Sequence, residues 1–254
     1  MDLLSKGAPL LGAFLVVAAL EVVRPWRPAS LFVANRWLSN LGLLIVTTCL
    51  DYLAAPIMAV CSSIGLESRL PLWLQLVVGV PALDALSYAL HRAFHVSPVL
   101  WRLHALHHAD PEVDVTTTLR HHPGEAFLMA FAIGGVGGAV GLSPLVVGFY
   151  GSLYLSVQFF SHSNIELPTG LGIALGWLVV TPVQHRVHHS RHPADVAANF
   201  GPVFSVWDRL FATYRSEPEL GEEGIEFGID QFREPYYQRF DRMLWLPVFV
   251  RAGT

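Results

Sequence analysis

The sequence predicts an all-α, polytopic membrane protein, and composition is the first observation that supports this fold class. Hydrophobic residues make up 53% of the 254 positions and charged residues only 14%, whereas an average soluble domain has about 25% charged residues. Five stretches approach the roughly 20 apolar residues that a membrane-spanning helix needs. All 12 histidines lie between His91 and His192. We therefore expect about four to five spanning or re-entrant helices and a separate helical cap that carries the histidines.

The five predicted spans cover, in chain order, residues 8–23, 41–64, 72–90, 126–141 and 144–160. The first lacks a convincing cleavage site of small residues, so we interpret it as an uncleaved helix rather than a signal peptide. Only Leu142 and Ser143 separate the last two spans, and the glycines of IGGVGGAVG permit close backbone approach. These two spans are expected to form a tight helical hairpin or, alternatively, a partly re-entrant pair.

Basic residues predict the orientation of the spans. If residues 24–36 face the cytoplasm, only Lys6 and Arg69 of the 16 Lys and Arg residues lie on the outer side, as the positive-inside rule expects. The same orientation places every histidine segment on the cytoplasmic side, where we expect the helical cap and the active site. The chain then divides into N-terminal transmembrane helices (1–83), a histidine-rich domain (84–214) and a cytoplasmic C-terminal tail (215–254).

Charge and cysteine content exclude some partners and cofactors. The formal net charge of −4 gives no reason to expect nucleic acid as a partner. Cys49 and Cys61 lie in an apolar stretch and form no Cys-x-x-Cys pattern, so they are interpreted as membrane-buried thiols. Because no cysteine stands among the histidines, a cysteine-based zinc or iron–sulfur site is excluded there.

Three histidine boxes carry the strongest chemical signal. HRAFH places two histidines four residues apart, while RLHALHH and QHRVHH both place histidines at positions i, i+3 and i+4. On a helix these offsets bring the imidazoles to one face, and neutral imidazole is the commonest metal ligand. Eight histidines are too many for one ion and predict two metals with four or five ligands each. The box residues are His91, His95, His104, His107, His108, His185, His188 and His189.

Two further histidines, His122 and His162, are predicted to join these ligands, because each stands at the cytoplasmic end of a span. His121 and His192 are interpreted as ordinary polar residues at helix ends. An all-nitrogen ligand set suits iron, copper or zinc, and ligand type alone does not choose among them. The absence of a His-Glu-x-x-His pattern argues against a membrane zinc protease.

Six motifs within residues 84–214 resemble, in order and spacing, those of the fatty acid hydroxylase/sterol desaturase superfamily: HRAFH, LWRLHALHHAD, TTTLRHHPGE, SHSNIELP, TPVQHRVHHSRHP and NFGPVFSVWDRLFATY. The resemblance implies an integral membrane, non-haem di-iron oxidoreductase with O2 as co-substrate. It implies hydroxylation or desaturation of a C–H position of a membrane lipid, such as a sterol or a fatty acyl chain. Two electrons would come from an external donor, a cytochrome b5-like protein, a ferredoxin or a reductase. Residues 84–214 would be the catalytic domain, with the ten predicted histidines as metal ligands.

The chain departs from the superfamily pattern at three positions. Phe is more common where His121 stands, Tyr where Phe200 stands and Gly where Ala212 stands. None of these differences removes a ligand. His121 does leave open which of two adjacent histidines faces the metal, and the motif alignment favours His122.

Polar residues near the boxes are candidates for holding the ligands in place. Asp84, Tyr88, His91 and His95 follow at offsets of 0, +4, +7 and +11, which is one helical stripe. An aspartate inside an apolar span is costly and usually functional, so Asp84 is predicted to hold an imidazole; a hydrogen bond in helix packing is the alternative. Segment 207–211 is expected to pack back over the site. The other candidates are Asp110, Glu125, Asn164, Asn199 and Asp208.

Two other classes of function are compatible with a histidine-rich membrane protein. A bis-histidine haem electron carrier would need a few histidine pairs on facing spans near the middle of the membrane. A metal transporter would place ligands along a path through the spans. The triplets at helix ends favour the lipid oxidoreductase over both.

Overall fold

The structure of the chain is a computed structural model, which describes residues 3–29, 33–64 and 70–250. Side chains are described for all of these except residues 3–6, 33 and 51–64. Lys6, Arg69 and Cys61, which enter the predicted orientation and thiol assignment, lie outside that description. The thiol of Cys49 is free and exposed, which is compatible with contact with lipid but not with burial inside the protein.

The described residues form helices and 3-10 turns, and no extended strand is present among them. The longer helices are α1 (Leu3–Val23), α2 (Val33–Ile64), α3 (Leu72–Val96), α4 (Pro98–His108), α5 (Pro123–Ala139), α6 (Pro144–Ser161), α7 (Thr169–Leu175) and α8 (Pro182–His188). The shorter helices are α9 (Pro193–Val196), α10 (Val206–Leu210), α11 (Gly221–Gly224), α12 (Phe240–Met243) and α13 (Leu246–Phe249). The 3-10 turns lie at Val115–Leu119, Asp230–Phe232 and Pro235–Gln238. The predicted all-α class is confirmed for this part of the chain.

The five stretches predicted as spans fall in α1, α2, α3, α5 and α6. By length and composition alone, α3 is the one described helix that is long and apolar enough to cross a bilayer, and Gly7–Val23 is a shorter apolar helix. Large apolar side chains are exposed on several outer faces, among them Leu15, Ile45, Trp73 and Val77. The number of helices that span a membrane stays a prediction.

The turn between α5 and α6 depends on its glycines. Gly141 has a φ of 77°, the left-handed conformation that glycine adopts readily after a helix. A Cβ atom on Gly137 would lie 2.9 Å from Cγ2 of Val147, so a larger residue would push α5 away from α6. Ser143 then caps α6, its Oγ accepting a hydrogen bond from the backbone N–H of Leu145 at 3.3 Å. The chain therefore turns back within a few residues, toward the histidines.

Arg36 on α2 ties this helix to the segment that follows α4. Its guanidinium is buried, and Nε donates a hydrogen bond to Oδ1 of Asp110 at 2.7 Å. Nη2 donates to the Glu112 carbonyl at 2.8 Å and lies 3.0 Å from Oδ2 of Asp114. Burial opposes the charge of Asp110, but Arg36 and Arg120 hold the pKa of its carboxyl below the usual range. Asp110, a candidate for holding a histidine ligand in place, therefore pairs with Arg36 and fixes the connection between α4 and α5.

Replacing Arg36 with alanine should strongly destabilise the fold, because the buried carboxylate of Asp110 loses the guanidinium that hydrogen bonds to it. Removing one partner of a buried ion pair costs about 3–5 kcal/mol. Thermal unfolding of the purified variant in nanodiscs measures the loss. Arg239→Ala is the control, since Arg239 pairs with Asp241 on the surface, and its unfolding midpoint should match that of the unaltered chain. Equal midpoints for the two variants would contradict the role given to Arg36.

Candidate metal centre

Helix ends and two short helices carry the histidines of the candidate centre. His91 and His95 stand on the last turns of α3, and His162 is the C-cap residue of α6. The two His-x-x-His-His triplets lie on α4 and α8, and both helices begin with proline, which fits the first position of a helix because its missing N–H has no partner to lose there. Proline thus fixes where each of these two helices begins, a few residues before its histidines.

The histidines form two groups, and within each group the ligand atoms all lie within 4.8 Å of one another. The five-histidine group contains His91, His95, His104, His108 and His188. The four-histidine group contains His107, His162, His185 and His189. Nine of the ten predicted ligands are therefore brought together, in sets of the predicted size. Each triplet divides between the two groups, so that both α4 and α8 contribute to both.

Hydrogen bonds fix the proton on one nitrogen of several rings. In the five-histidine group, Nδ1 of three imidazoles faces oxygen: the Phe200 carbonyl at 2.9 Å from His91, the Ala198 carbonyl at 2.7 Å from His188, and Oε1 of Glu125 at 2.7 Å from His104. Carbonyl and carboxylate oxygens only accept, so each Nδ1 carries the hydrogen and each neutral ring presents a lone pair at Nε2. This is the form in which histidine binds a metal.

These lone pairs point at one another. Nε2 of His91 lies 3.1 Å from Nε2 of His188, and both of these rings carry their hydrogen on Nδ1, so no hydrogen lies between the two nitrogens. Nε2 of His104 lies 3.2 Å from Nε2 of His91. Nitrogen ligands about 2.0–2.1 Å from one ion, at angles from a right angle to the tetrahedral angle, lie roughly 2.8–3.4 Å apart. A shared cation therefore accounts for distances that would otherwise be repulsive.

The four-histidine group has the same geometry. Nδ1 of His162 donates to the Gln158 carbonyl at 2.9 Å, and its Nε2 lies 2.9 Å from Nε2 of His185 and 3.0 Å from Nε2 of His107. Nε2 of His189 lies 3.2 Å from Nε2 of His185. In the two groups, several buried ring nitrogens have no partner, namely His95 Nε2, His108 Nε2, His107 Nδ1, His185 Nδ1 and His189 Nδ1. The donor set of each group fits a nitrogen-ligated metal ion.

Burial keeps the imidazoles uncharged. Loss of solvation lowers the pKa of His162 to about 3 and that of His188 to about 3. Burial also lowers the pKa values of His107 and His189 well below the usual range, and neighbouring imidazoles add to the effect. These rings are therefore neutral at physiological pH and available as ligands.

His121, and not His122, faces the centre. Oε1 of Glu125 accepts hydrogen bonds from Nδ1 of both His104 and His121, at 2.7 and 2.9 Å, and the His121 ring stacks on His107 with centroids 4.3 Å apart. Nδ1 of His122 instead accepts from the backbone N–H of Gly124 at 3.0 Å. The structure brings the predicted ligand His122 into neither histidine group, because this N-cap side chain turns back to its own helix.

Asp84 on α3 connects this helix to α6 and to residues 204–207, and it forms no hydrogen bond with an imidazole. Its Oδ2 accepts from Nε1 of Trp207 at 2.7 Å and from the Phe204 N–H at 3.0 Å, and its Oδ1 accepts from the Tyr150 hydroxyl at 3.1 Å. The packing alternative for Asp84 is therefore the one observed. Tyr88 likewise reaches a ligand only indirectly, since its hydroxyl hydrogen bonds to Thr213 Oγ1 at 2.8 Å and its ring contacts Phe200 edge-on.

The two predicted asparagines differ in their relation to the ligands. Asn164 exchanges hydrogen bonds with the backbone of Arg27, at 2.7 and 3.1 Å, and does not orient His162. Asn199 has a φ of 55° and donates to the Gln184 carbonyl at 2.9 Å, and so holds the backbone between the two carbonyls that face the five-histidine group. Those two carbonyls were missed from the sequence, because a backbone acceptor leaves no residue-type signal.

An apolar cavity adjoins the histidines. It has a volume of about 420 Å³ and lies among α2, α3, α5 and α6. A small space of about 20 Å³ lies directly against imidazoles of both groups. Six residues line both spaces and so mark their junction: Ser87, His121, Glu125, Met129, Tyr154 and Gln158. An apolar molecule in the larger cavity would therefore lie next to the candidate centre.

The comparisons with known proteins point to lipid chemistry. The family described as fatty acid hydroxylase matches residues 76–213, slightly more than half of the chain. An alkylglycerol monooxygenase of Xenopus tropicalis is 32% identical over 175 residues, which is 65% of this chain and 36% of the relative. The ornithine lipid hydroxylase OlsE of Rhizobium tropici is 32% identical over 156 residues, 61% of this chain and 46% of the relative.

The human alkylglycerol monooxygenase is 27% identical over 183 residues, 71% of this chain and 39% of the relative. The chain therefore spans less than half the length of these three relatives. No solved structure matches it.

Each histidine group should lose its own metal when one ligand is removed. His188→Ala and His107→Ala are expected to lower the transition-metal content of the purified chain by about one ion each, since structural nitrogen sites need most of their ligands. Mass spectrometry of metal per protein measures the loss. His192→Ala, outside both groups, should keep the full content. An unchanged ratio in either ligand variant would contradict the assignment.

The adjacent histidines should respond differently to substitution. His121→Ala removes a partner of Glu125 and should weaken metal binding about 10- to 100-fold, as loss of a group that orients a ligand does, with little change in the unfolding temperature of the metal-free chain. His122→Ala should lower the unfolding temperature and leave the metal affinity unchanged. His122→Asn should restore the unfolding temperature, because asparagine also caps helices. Metal titration followed by thermal unfolding separates the two. Metal loss on changing His122 alone would contradict the geometry.

Proposed function

Because the chain belongs to the fatty acid hydroxylase family, we propose that it is a membrane-bound, non-haem di-iron oxidoreductase that hydroxylates a C–H position of a lipid alkyl chain. One observation carries the proposal: two groups of buried imidazoles meet an apolar cavity at a shared set of residues. The printed names of the relatives, alkylglycerol monooxygenase and ornithine lipid hydroxylase, support a lipid as the substrate class.

Iron fits the reaction better than zinc does. Two iron ions held by the nine histidines would supply the redox chemistry that O2 reduction needs, whereas zinc does not change its oxidation state. The overall reaction consumes the C–H bond, O2, two electrons and two protons, and yields the alcohol and water. The two electrons come from an external redox protein, for which a cytochrome b5-like protein, a ferredoxin and a reductase are the candidates.

The protein's own groups have three tasks in this proposal. The carbonyls of Ala198, Phe200 and Gln158 hold the rings in one tautomer, so that the ligands do not reorient during turnover. Glu125 links His104 to His121 at the junction with the cavity. The apolar walls exclude water and hold a hydrocarbon chain beside the centre.

The chain is proposed to be a multi-pass membrane protein with its active site on the cytoplasmic side. The exposed apolar faces of α1, α2 and α3 support contact with lipid, and the distribution of Lys and Arg supports the orientation. The cavity lies between helices that lipid would surround, so that a substrate can enter from the side.

The geometry disfavours the two competing functions. The space among the imidazoles is about 20 Å³, too small for a porphyrin between two histidines. A transporter would place ligands along a path, whereas these nine histidines converge at one end of α3 and α6.

Isotope labelling tests the proposal. Cells that express the chain are grown under ¹⁸O2, and their lipids are compared with those of cells that express His107→Ala. We expect a lipid with one added ¹⁸O atom only with the unaltered chain; a desaturated product without ¹⁸O would show that a second hydrogen leaves in place of oxygen transfer. The purified chain should form product only when a reductant protein is added. The same product from the His107→Ala cells would contradict the proposal.

A further inference from the structure

The cavity beside the centre has a polar end and an apolar end. Ser87, Glu125 and Gln158 lie where it meets the histidines. Its remaining lining is mostly apolar and includes Leu44 and Ile133, together with Thr47 and Thr48 of α2. Leu44 is 38% exposed, so the cavity reaches the outer surface of α2 in the region where that helix presents other apolar side chains. A hydrophobic molecule can therefore enter from the side and lie with one end away from the metals.

The two helices of the hairpin define the depth of the cavity. From Glu125 to Ile133 is eight residues along α5, and from Gln158 back to Gly151 is seven residues along α6, which at 1.5 Å per residue is about 12 and 10 Å. Since the two helices run in opposite directions from one turn, Ile133 and Gly151 lie at similar distances from the histidines. Together they form the end of the cavity farthest from the centre.

Gly151 leaves space that any other residue would fill. It precedes Tyr154, Leu155 and Gln158 by three, four and seven positions, so all four share one face of α6, and all four line the cavity. A Cβ atom added to Gly151 meets nothing within 4 Å. Glycine inside a helix lowers its stability, so neither helix formation nor packing requires glycine here. The space it leaves belongs to the cavity.

We infer that the cavity takes the unbranched alkyl chain of a bilayer lipid, with the chain terminus between Ile133 and Gly151, and that Gly151 sets the length of chain accepted. The inference rests on the proposed function for what happens at the centre, but chain binding itself needs no turnover. The lateral opening at Leu44 and the apolar, roughly 10 Å deep space match a hydrocarbon chain. The reacting carbon then lies several carbons from the chain terminus.

Photocrosslinking tests the inference without turnover. The purified chain in phosphatidylcholine nanodiscs is exposed to palmitic acid or octanoic acid that carries a diazirine on the terminal carbon, and peptide mass spectrometry locates the label. We expect the palmitic acid probe to label the region of Ile133. Gly151→Leu should lower that labelling about tenfold, because two or so methylene groups lose their burial, and should spare cavity labelling by the octanoic acid probe.

Gly148→Leu is the matched control. Gly148 also lies in α6, and a Cβ there also meets nothing within 4 Å, but it does not line the cavity. This variant should label like the unaltered chain, and neither variant should lose metal or unfold at a lower temperature than the unaltered chain. Unchanged labelling in Gly151→Leu would overturn the inference. So would a palmitic acid label found only at the histidine end of the cavity. Labelling of the cavity by photoreactive cholesterol instead of by palmitic acid would also overturn it.

The outcomes for the inference and for the proposed function are separable. If no ¹⁸O-labelled lipid forms but Gly151→Leu shifts the crosslinks, the alkyl-chain site stands and the reaction is different. If the hydroxylated lipid forms but the crosslinks do not depend on residue 151, the reaction stands and the assignment of Gly151 fails.

Discussion

The structure depends on nitrogen lone pairs that face one another in the buried interior of the protein. In both groups, Nε2 atoms lie 2.9–3.2 Å apart, and the partners of Nδ1 show that several of these nitrogens carry no hydrogen. Protonation would give charge where burial opposes it, as the pKa values of about 3 for His162 and His188 indicate. A bound metal ion would remove the repulsion between the facing lone pairs without protonation of the rings. We therefore expect metal binding to stabilise the fold.

The NFG segment shows how local sequence produces the ligand geometry. Asn199 accepts a left-handed backbone conformation more readily than most residues, and this turn aims the carbonyls on either side at two imidazoles. Asp208 holds the same turn by accepting from the N–H groups of Phe200 and Gly201 at 2.7 and 2.8 Å. A Cβ on Gly201 would lie 2.7 Å from Oδ2 of Asp208, so glycine is required beside that carboxylate.

Residue spacing could predict which histidines meet, but not how they divide between two ions. Offsets of three and four residues place imidazoles on one helix face, whereas the division between groups depends on how α4 packs against α8. Two adjacent histidines at a helix start cannot be ranked by spacing, because whichever is the N-cap turns its ring to the helix. Asp84 was on the predicted stripe, but its partners Phe204 and Trp207 stand about 120 positions later, where only the tertiary fold brings them close.

Asp84 also explains why the cavity and the centre keep a fixed relation. Its Oδ1, at 3.1 Å, and Ser87 Oγ, at 2.7 Å, share the single hydroxyl hydrogen of Tyr150, and both Tyr150 and Ser87 line the cavity. Its Oδ2 accepts from Trp207 and from the backbone of Phe204, just beyond the NFG turn that orients the ligands. One carboxylate thus joins the wall that would position a lipid chain to the loop that positions the imidazoles. An alkyl chain has no polar group of its own, so in the proposed reaction this rigid distance between cavity and centre would select the carbon that reacts.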